Sequence, residues 1–441
     1  MNAVEVAGAT MERVVADLRE LAAIPSVALP GFPTEPVERA ARATAAILAD
    51  AGWRDVELVD VPDGPPAVFA HAAGADGGGP TVLLYAHYDV MPAGPEDAWS
   101  TPPWTPTERD GRLYGRGTAD NKCGIAMHAG VLRAFDGRPP VNLKVLVEGA
   151  EEAADGSLER LLEREPERFA ADVVVLADCG NRRTGEPTLT TALRGLAAVD
   201  VEVATLERPA HSGLYGGPLP DAALVLARLL ASLHDDDGNV AVAGLRHGAW
   251  EGHPVDEHAF LDAAGVLDGV HLIGDGSLAE RLFTRPAINA IGIDVPPVDG
   301  ATNALVPRAR ARVSARLAPE DDPHEAAAHL VAHLRRVAPW GAHVDVRVQQ
   351  TARGVRLPSD SRVERAALAA MTAAYGSPAI AIGCGGGLPL LPALCAAYPE
   401  MAPVLWGAYD DRSQVHAANE SVDLGELRRA LHAQALLLAS L

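Results

Sequence analysis

Residues 81–90 read TVLLYAHYDV, an unbroken apolar run that stops at a histidine, with an aspartate two positions later. A run without polar alternation is a strand covered on both faces, as in parallel sheets. In an open α/β sheet the residues just past the strand's carboxyl end border the ligand crevice. His87 and Asp89 stand at that place. Side chains two apart share a face, so Asp89 can hold one imidazole nitrogen of His87 and leave the other for a metal. A strand-end histidine with a turn-forming aspartate is the ordinary alternative, and more ligands are needed to set it aside.

Further chemistry-bearing residues follow the same placement. LYGRGTADNKCG (113–124) meets a glycine-rich turn, then Asp120, then a helix. A carboxylate there can bridge two cations or simply cap the helix. VLVEGAEEAADGS (145–157) is an apolar strand ending in adjacent Glu151 and Glu152. Neighbouring carboxylates repel unless they are solvated or something positive sits beside them, and a metal serves that need. One glutamate can then ligate while the other takes the proton of an activated water. Asp178 follows the apolar run in VVVLADCGN (173–181), and His416 lies in the polar loop SQVHAANES (413–421). Each has a dull explanation alone, but a histidine and acids repeated at strand ends, with a late second histidine, favour a metal centre.

The rest of the chain sets bounds. At 441 residues and 48% hydrophobic it is long enough for two domains and apolar enough to fill both. A formal charge of −22 with no basic cluster disfavours nucleic acid and anionic membrane as partners and suits a soluble cytoplasmic protein. Cys123, Cys179, Cys384 and Cys395 lie far apart without CxxC spacing, so a zinc knuckle or disulfide framework is not indicated. The first residues carry no basic segment followed by an apolar core. Their Val14, Leu18, Leu21 spacing predicts an amphipathic helix, with no signal peptide or membrane span expected.

Helix and strand patterns alternate to about residue 190, with strands near 81–86, 143–148 and 173–177 and helices near 37–51 and 122–135. That alternation predicts an α/β catalytic domain on a mostly parallel sheet. Alternating strands at 194–205, 309–319 and 342–350 then frame helices near 221–233 and 324–337, an inserted α+β unit. The expected division is 1–193 and 353–441 for the first domain, with 194–352 inserted. HAAGADGGGP (71–80) is expected to be a hairpin or loop.

In order along nearly the whole chain, AHYDVMP, GRLYGRGTADNK, EGAEE, VVVLADCG, LTTALRGL, AHSGLYGG, ARVSARLAP and HAANESVDL resemble the co-catalytic di-zinc metallopeptidases. These include carnosine-type dipeptidases, aminoacylase, glutamate carboxypeptidase and succinyl-diaminopimelate desuccinylase, and the dipeptidase branch is the nearest in flavour. The resemblance implies the zinc peptidase fold with a lid and dimerisation domain. It also implies two zinc ions per chain, replaceable by cobalt or manganese, that act on a small peptide-like substrate. His87, Asp120, Glu152, Asp178 and His416 would be ligands, with Asp120 bridging. Glu152 would join the first ion, and Asp178 and His416 the other, in a division that stays open. Glu151 would be the general base and acid, and Asp89 would orient His87. His211 would reach a partner subunit's active site in a homodimer, Arg316 would grip the substrate carboxylate, and Asn303 would contact substrate or oxyanion.

Dipeptidases of this family commonly read REGGSIP where this chain reads GCGGGLP (383–389), so Gly383 and Gly387 replace the usual arginine and serine of a carboxylate clamp. This leaves room for an N-acyl or N-carbamoyl amino acid, or a specialised biosynthetic amide, as alternative substrate. A non-catalytic binding protein on the same scaffold would have lost a ligand, and none is absent.

Overall fold

The strand Thr81–His87 is buried from Val82 to its end, and only a sheet layered on both faces accommodates such a run. In this computed structural model, which describes residues 3–75, 77–388 and 390–441, it lies parallel to Asn142–Glu148 on one side and Val173–Leu176 on the other. Leu84 sits between Val145 and Val175, and His87 beside Glu148. Ala402–Leu405 continues the parallel set beyond Val173–Leu176. Ala67–Ala72 and then Arg54–Val59 extend the opposite edge antiparallel, and Thr190 pairs antiparallel with Leu405. The mixed but mostly parallel α/β sheet is the architecture expected from the sequence.

Helices Ala3–Ala22, Lys122–Ala134 and Leu424–Ser440 pack on one another in this unit, and Lys122–Ala134 packs on the His87 strand. Val14, Leu18 and Leu21 are fully buried, as their spacing requires. Residues 73–80 are the expected loop, apart from residue 76, which lies outside the described residues.

Contacts divide the chain into Met1–Thr191 with Leu357–Ile382 and Pro389–Leu441, and Ala192–Arg356 with Gly383–Leu388. The sequence pattern sets these junctions at 193/194 and 352/353 and assigns 383–388 to the first domain, whereas their contacts lie with the second unit. Where the chain leaves and re-enters the first unit, the Leu357 amide donates to Thr191 O at 2.9 Å.

In the second unit, strands Ala287–Asp294, Arg308–Leu317, Gly195–Ala204 and His343–Ala352 run antiparallel in that order. Val199, Val201, Val203, Ala311 and Val313 face helices Ala222–Ala231 and Pro323–Arg336. Across the other face Arg312 pairs with Asp200 and Arg310 with Asp294. The Ala287–Asp294 strand escaped the sequence reading because it is exposed from Asn289 onward and bulged between Ala290 and Gly292, which erases the alternation. Among the described residues no helix is long and apolar enough to cross a membrane.

One buried ion pair closes the first unit. Arg112, 2% exposed, forks onto both oxygens of Asp410 at 2.8 Å, and its other donors reach Ser413 and Ser421. This anchors both ends of the loop that carries His416. Removing one partner leaves the other charged and buried, so Arg112→Met should lower stability by about 3–5 kcal/mol. Urea unfolding of the purified variant reads this directly, and a midpoint equal to wild type would contradict it.

Candidate metal centre

Four loops at the carboxyl ends of the parallel strands bring the donors together. His87 ends its strand, Asp178 follows Val173–Leu176, and Glu151 and Glu152 follow Asn142–Glu148. Asp120 lies two residues before the helix Lys122–Ala134, and His416 lies between strands Ala402–Leu405 and Ser421–Asp423. Among the described residues, donors within 4.8 Å of one another form two groups of three: His87, Glu151 and Asp178, and Asp120, Glu152 and His416. Asp120 joins the groups, with Oδ1 3.1 Å from His87 Nε2 and Oδ2 3.0 Å from His416 Nε2. Glu152 Oε2 is 3.1 Å from His416 Nε2, and Asp178 Oδ1 is 3.7 Å from His87 Nε2. The sequence leaves the division of ligands between the ions open, and here Glu152 stands with His416 and Asp178 with His87. Linear order carries no information about which loop tips meet.

Asp89 meets His87 Nδ1 through its backbone oxygen at 3.1 Å as well as through its carboxylate. Its Oδ1 lies 3.3 Å from His87 Nδ1, and its two oxygens also accept from the amides of Glu151 and Glu152 at 3.2 and 3.1 Å. The carboxylate therefore pins the Glu–Glu turn to the histidine. Two further positioning residues escaped the sequence reading. Glu420 is fully buried and accepts from the amides of Gly117, Ala119 and Asp120 and from Arg116, which fixes the turn under Asp120. Asn121 donates to Asp178 Oδ1 at 2.9 Å and accepts from the His87 amide at 3.3 Å. The sequence offers one signal for them, that Asn121 lies in LYGRGTADNKCG and Glu420 in SQVHAANES. His416 itself has a left-handed φ of 64°, as does Asn419. Such a conformation costs a β-carbon-bearing residue about 1–2 kcal/mol and persists where neighbours hold it. Here Ala98 O, Ser100 and Arg116 bind the loop.

The electrostatics follow from crowding. His416 is pushed up to about 10 by its hydrogen bonds to Asp120 and Glu152. Burial pulls His87 down, but the charge of Asp178 and bonds to Asp120, Asp178 and Asp89 outweigh it and lift it well above the imidazole range. Burial works to raise Asp120, yet bonds from both histidines hold it well below the usual carboxylate range. Burial lifts Asp178 to about 6 and Glu151 well above its ordinary value, opposed by His87 and aided by neighbouring carboxylates. The donor set suits divalent cations: imidazole and carboxylate ligands, a carboxylate shared between two groups, and a buried Glu152 Oε1 with no hydrogen-bond partner among the described residues.

His211, Asn303 and Arg316 lie in the second unit. Strand Ala210–His211 pairs with Ala304–Leu305, and the Ser212 amide donates to Asn303 O, so the first two are neighbours. His211 is exposed, with Nδ1 accepting from the Gly213 amide at 3.0 Å. Arg316 sits on Arg308–Leu317 opposite Leu196. A side chain at Gly383 would begin 2.5–2.6 Å from Phe283, whose ring packs on Trp250, so a larger residue there would have to displace the aromatic pair. A Cβ at Gly387 would meet Arg194 O at an ordinary 3.4 Å, so nothing there forbids a serine. Pro389, last of that motif, lies outside the described residues.

The sequence profile of peptidase family M20/M25/M40 matches residues 83–440. A cysteinylglycine-S-conjugate dipeptidase of Corynebacterium striatum is 40% identical over 370 residues, 81% of this chain and 80% of that protein. A β-Ala-His dipeptidase of Rattus norvegicus is 32% identical over 64% of this chain and 61% of its own length. Human carnosine dipeptidase 1 superposes with a TM-score of 0.85 at 25% identity, covering 100% of this chain and 98% of that one.

Protons and cations compete for these donors. His416, pushed up to about 10, carries a proton at neutral pH, His87 is shifted in the same direction, and a ligating imidazole must shed its proton. Zinc binding at pH 7.5 should therefore release protons, seen by calorimetry in buffers of different ionisation enthalpy. Affinity should rise between pH 6 and 8, about tenfold per pH unit for each proton displaced. Binding without proton release would contradict the electrostatics described.

Proposed function

Because the chain belongs to peptidase family M20/M25/M40 and is a metal-dependent dipeptide hydrolase, we propose that it cleaves dipeptides at two zinc ions held by His87, Asp178, Asp120, Glu152 and His416. A cysteinylglycine S-conjugate is the first substrate to try. The observation that carries this reading is Asp120, whose two oxygens face the histidines of two separate donor groups. When bound, the ions supply Lewis acidity toward the scissile carbonyl and the attacking water.

The chain's own residues supply the rest. Glu151 takes the water's proton and returns it to the departing amine. Its burial among other acids lifts its proton affinity toward what such a shuttle needs. Asp89 holds the Glu151 amide and the His87 ring in one frame. Arg316 grips the substrate carboxylate, a task that Gly383 cannot share beside Phe283. His211, with Asn303 beside it, stabilises the oxyanion in a partner's site, so the working form is a homodimer joined through the inserted unit. Exposed apolar side chains on that unit, Leu214, Leu224, Ile291 and Val298 among them, support a surface that needs covering. We place the protein in the cytoplasm, a reading supported by its acidic charge and scattered cysteines. The dipeptidase names of the relatives disfavour N-acyl or N-carbamoyl amino acids as substrates.

Zinc-reconstituted protein should hydrolyse dipeptides in preference to N-acetyl amino acids, and the reverse order would overturn the substrate class. Glu151→Gln should keep both ions and lose about 10²–10⁴ in kcat, and near-wild-type turnover would remove the glutamate from its role. Mixing His211→Ala with Glu151→Gln subunits, each inactive alone, should restore part of the activity in hybrid dimers. No recovery after verified exchange would return His211 to its own chain.

A further inference from the structure

Lys122 is fully buried, and its Nζ donates to Leu21 O at 3.0 Å and Ile24 O at 2.7 Å. These carbonyls belong to the end of the helix Ala3–Ala22 and the turn beyond it, where a cation is favoured by the helix dipole. The lysine stem passes Gly117, a residue with φ of 80° whose missing side chain is required. A Cβ there would lie 2.5 Å from Val90 Cγ1 and 3.2 Å from Lys122 Cδ. The same N-terminal turn grips a second loop, with Ser26 Oγ donating to Tyr88 O at 2.6 Å and the Val90 amide donating to Ser26 O at 3.0 Å. Residues 21–26 thus hold the segment carrying His87 and Asp89 on one side, and the residue two positions past Asp120 on the other.

A buried ammonium is costly to desolvate, and a methionine of similar length would fill the space without that cost. The lysine's directed bonds to two carbonyls therefore point to a positional demand. We propose that Lys122 and Ser26 form a two-point latch that sets the separation of His87 from Asp120, which makes both of them positioning residues for the metal centre. The inference rests on the reading of that centre as a two-ion site. The latch acts through the backbone on each side: Lys122 N donates to Gly117 O at 3.0 Å, which closes the turn holding Asp120, and the bonds to Ser26 flank Asp89.

The test uses full-length chelator-treated protein titrated with Zn²⁺ against a chromophoric chelator, together with the visible absorption of the Co²⁺-loaded form. Lys122→Met should weaken binding of one ion per chain by about 10–100-fold and shift the cobalt bands, with far-ultraviolet circular dichroism unchanged. Ser26→Ala should act in the same direction by severalfold, and the double variant should fall short of the summed effects because both hold the same turn. Wild-type zinc affinity and cobalt bands in Lys122→Met overturn the latch, whatever happens to its melting temperature. If that variant does not fold, Ser26→Ala decides by the same readouts, and wild-type values again overturn the proposal. Failure of the two-ion reading looks different, because the wild-type protein would then take up fewer than two ions.

Discussion

Asp89, Asp120, Glu151, Glu152 and Asp178 crowd the carboxyl ends of the parallel strands, with Glu148 and Glu420 buried among them. Two carboxylates 4 Å apart repel by about 4 kcal/mol at the effective dielectric of a protein. Holding so many together is the constraint that shapes the first unit. Asp89 is neutralised by two backbone amides and His87, and Glu420 by three amides and Arg116. Glu148 takes a hydrogen bond from Tyr85 at 2.6 Å and is pushed up to about 8 by burial, so it sits largely protonated at neutral pH. What this leaves poorly compensated lies between the two histidines, which is where cations of charge two are useful.

The compensating groups come from distant parts of the chain. Glu420 reaches the Asp120 turn across 300 residues, and Arg112 reaches Asp410 across 298. The donor geometry therefore exists only once the sheet and its C-terminal helix have closed, and metal affinity and folding are linked.

That dependence also marks what could be read from the sequence. The His87 strand was legible because burial on both faces leaves an uninterrupted apolar run, and the second unit because its sheet buries one face and its strands alternate. His87, Asp120, Glu151, Glu152, Asp178 and His416 were legible as residues at strand ends, but their grouping was not. Asn121 and Glu420 stayed hidden because their roles consist of contacts, and neither residue type signals one. Gly383 shows the opposite case. The resemblance leads one to expect an arginine there, and the Phe283 ring that a side chain at this position would strike lies a hundred residues earlier in the chain.

The hydrogen bond between Leu357 and Thr191 means that the 165-residue run from Ala192 to Arg356 enters and leaves the first unit through one doorway. An excursion whose two ends already touch asks little of its host, since closing the gap requires no rearrangement of the sheet. Aside from the six residues 383–388, the first unit thus gives up and takes back the chain at a single point. The run between 191 and 357 can therefore be lengthened or shortened without moving the strand ends that carry the acids and histidines of the first unit.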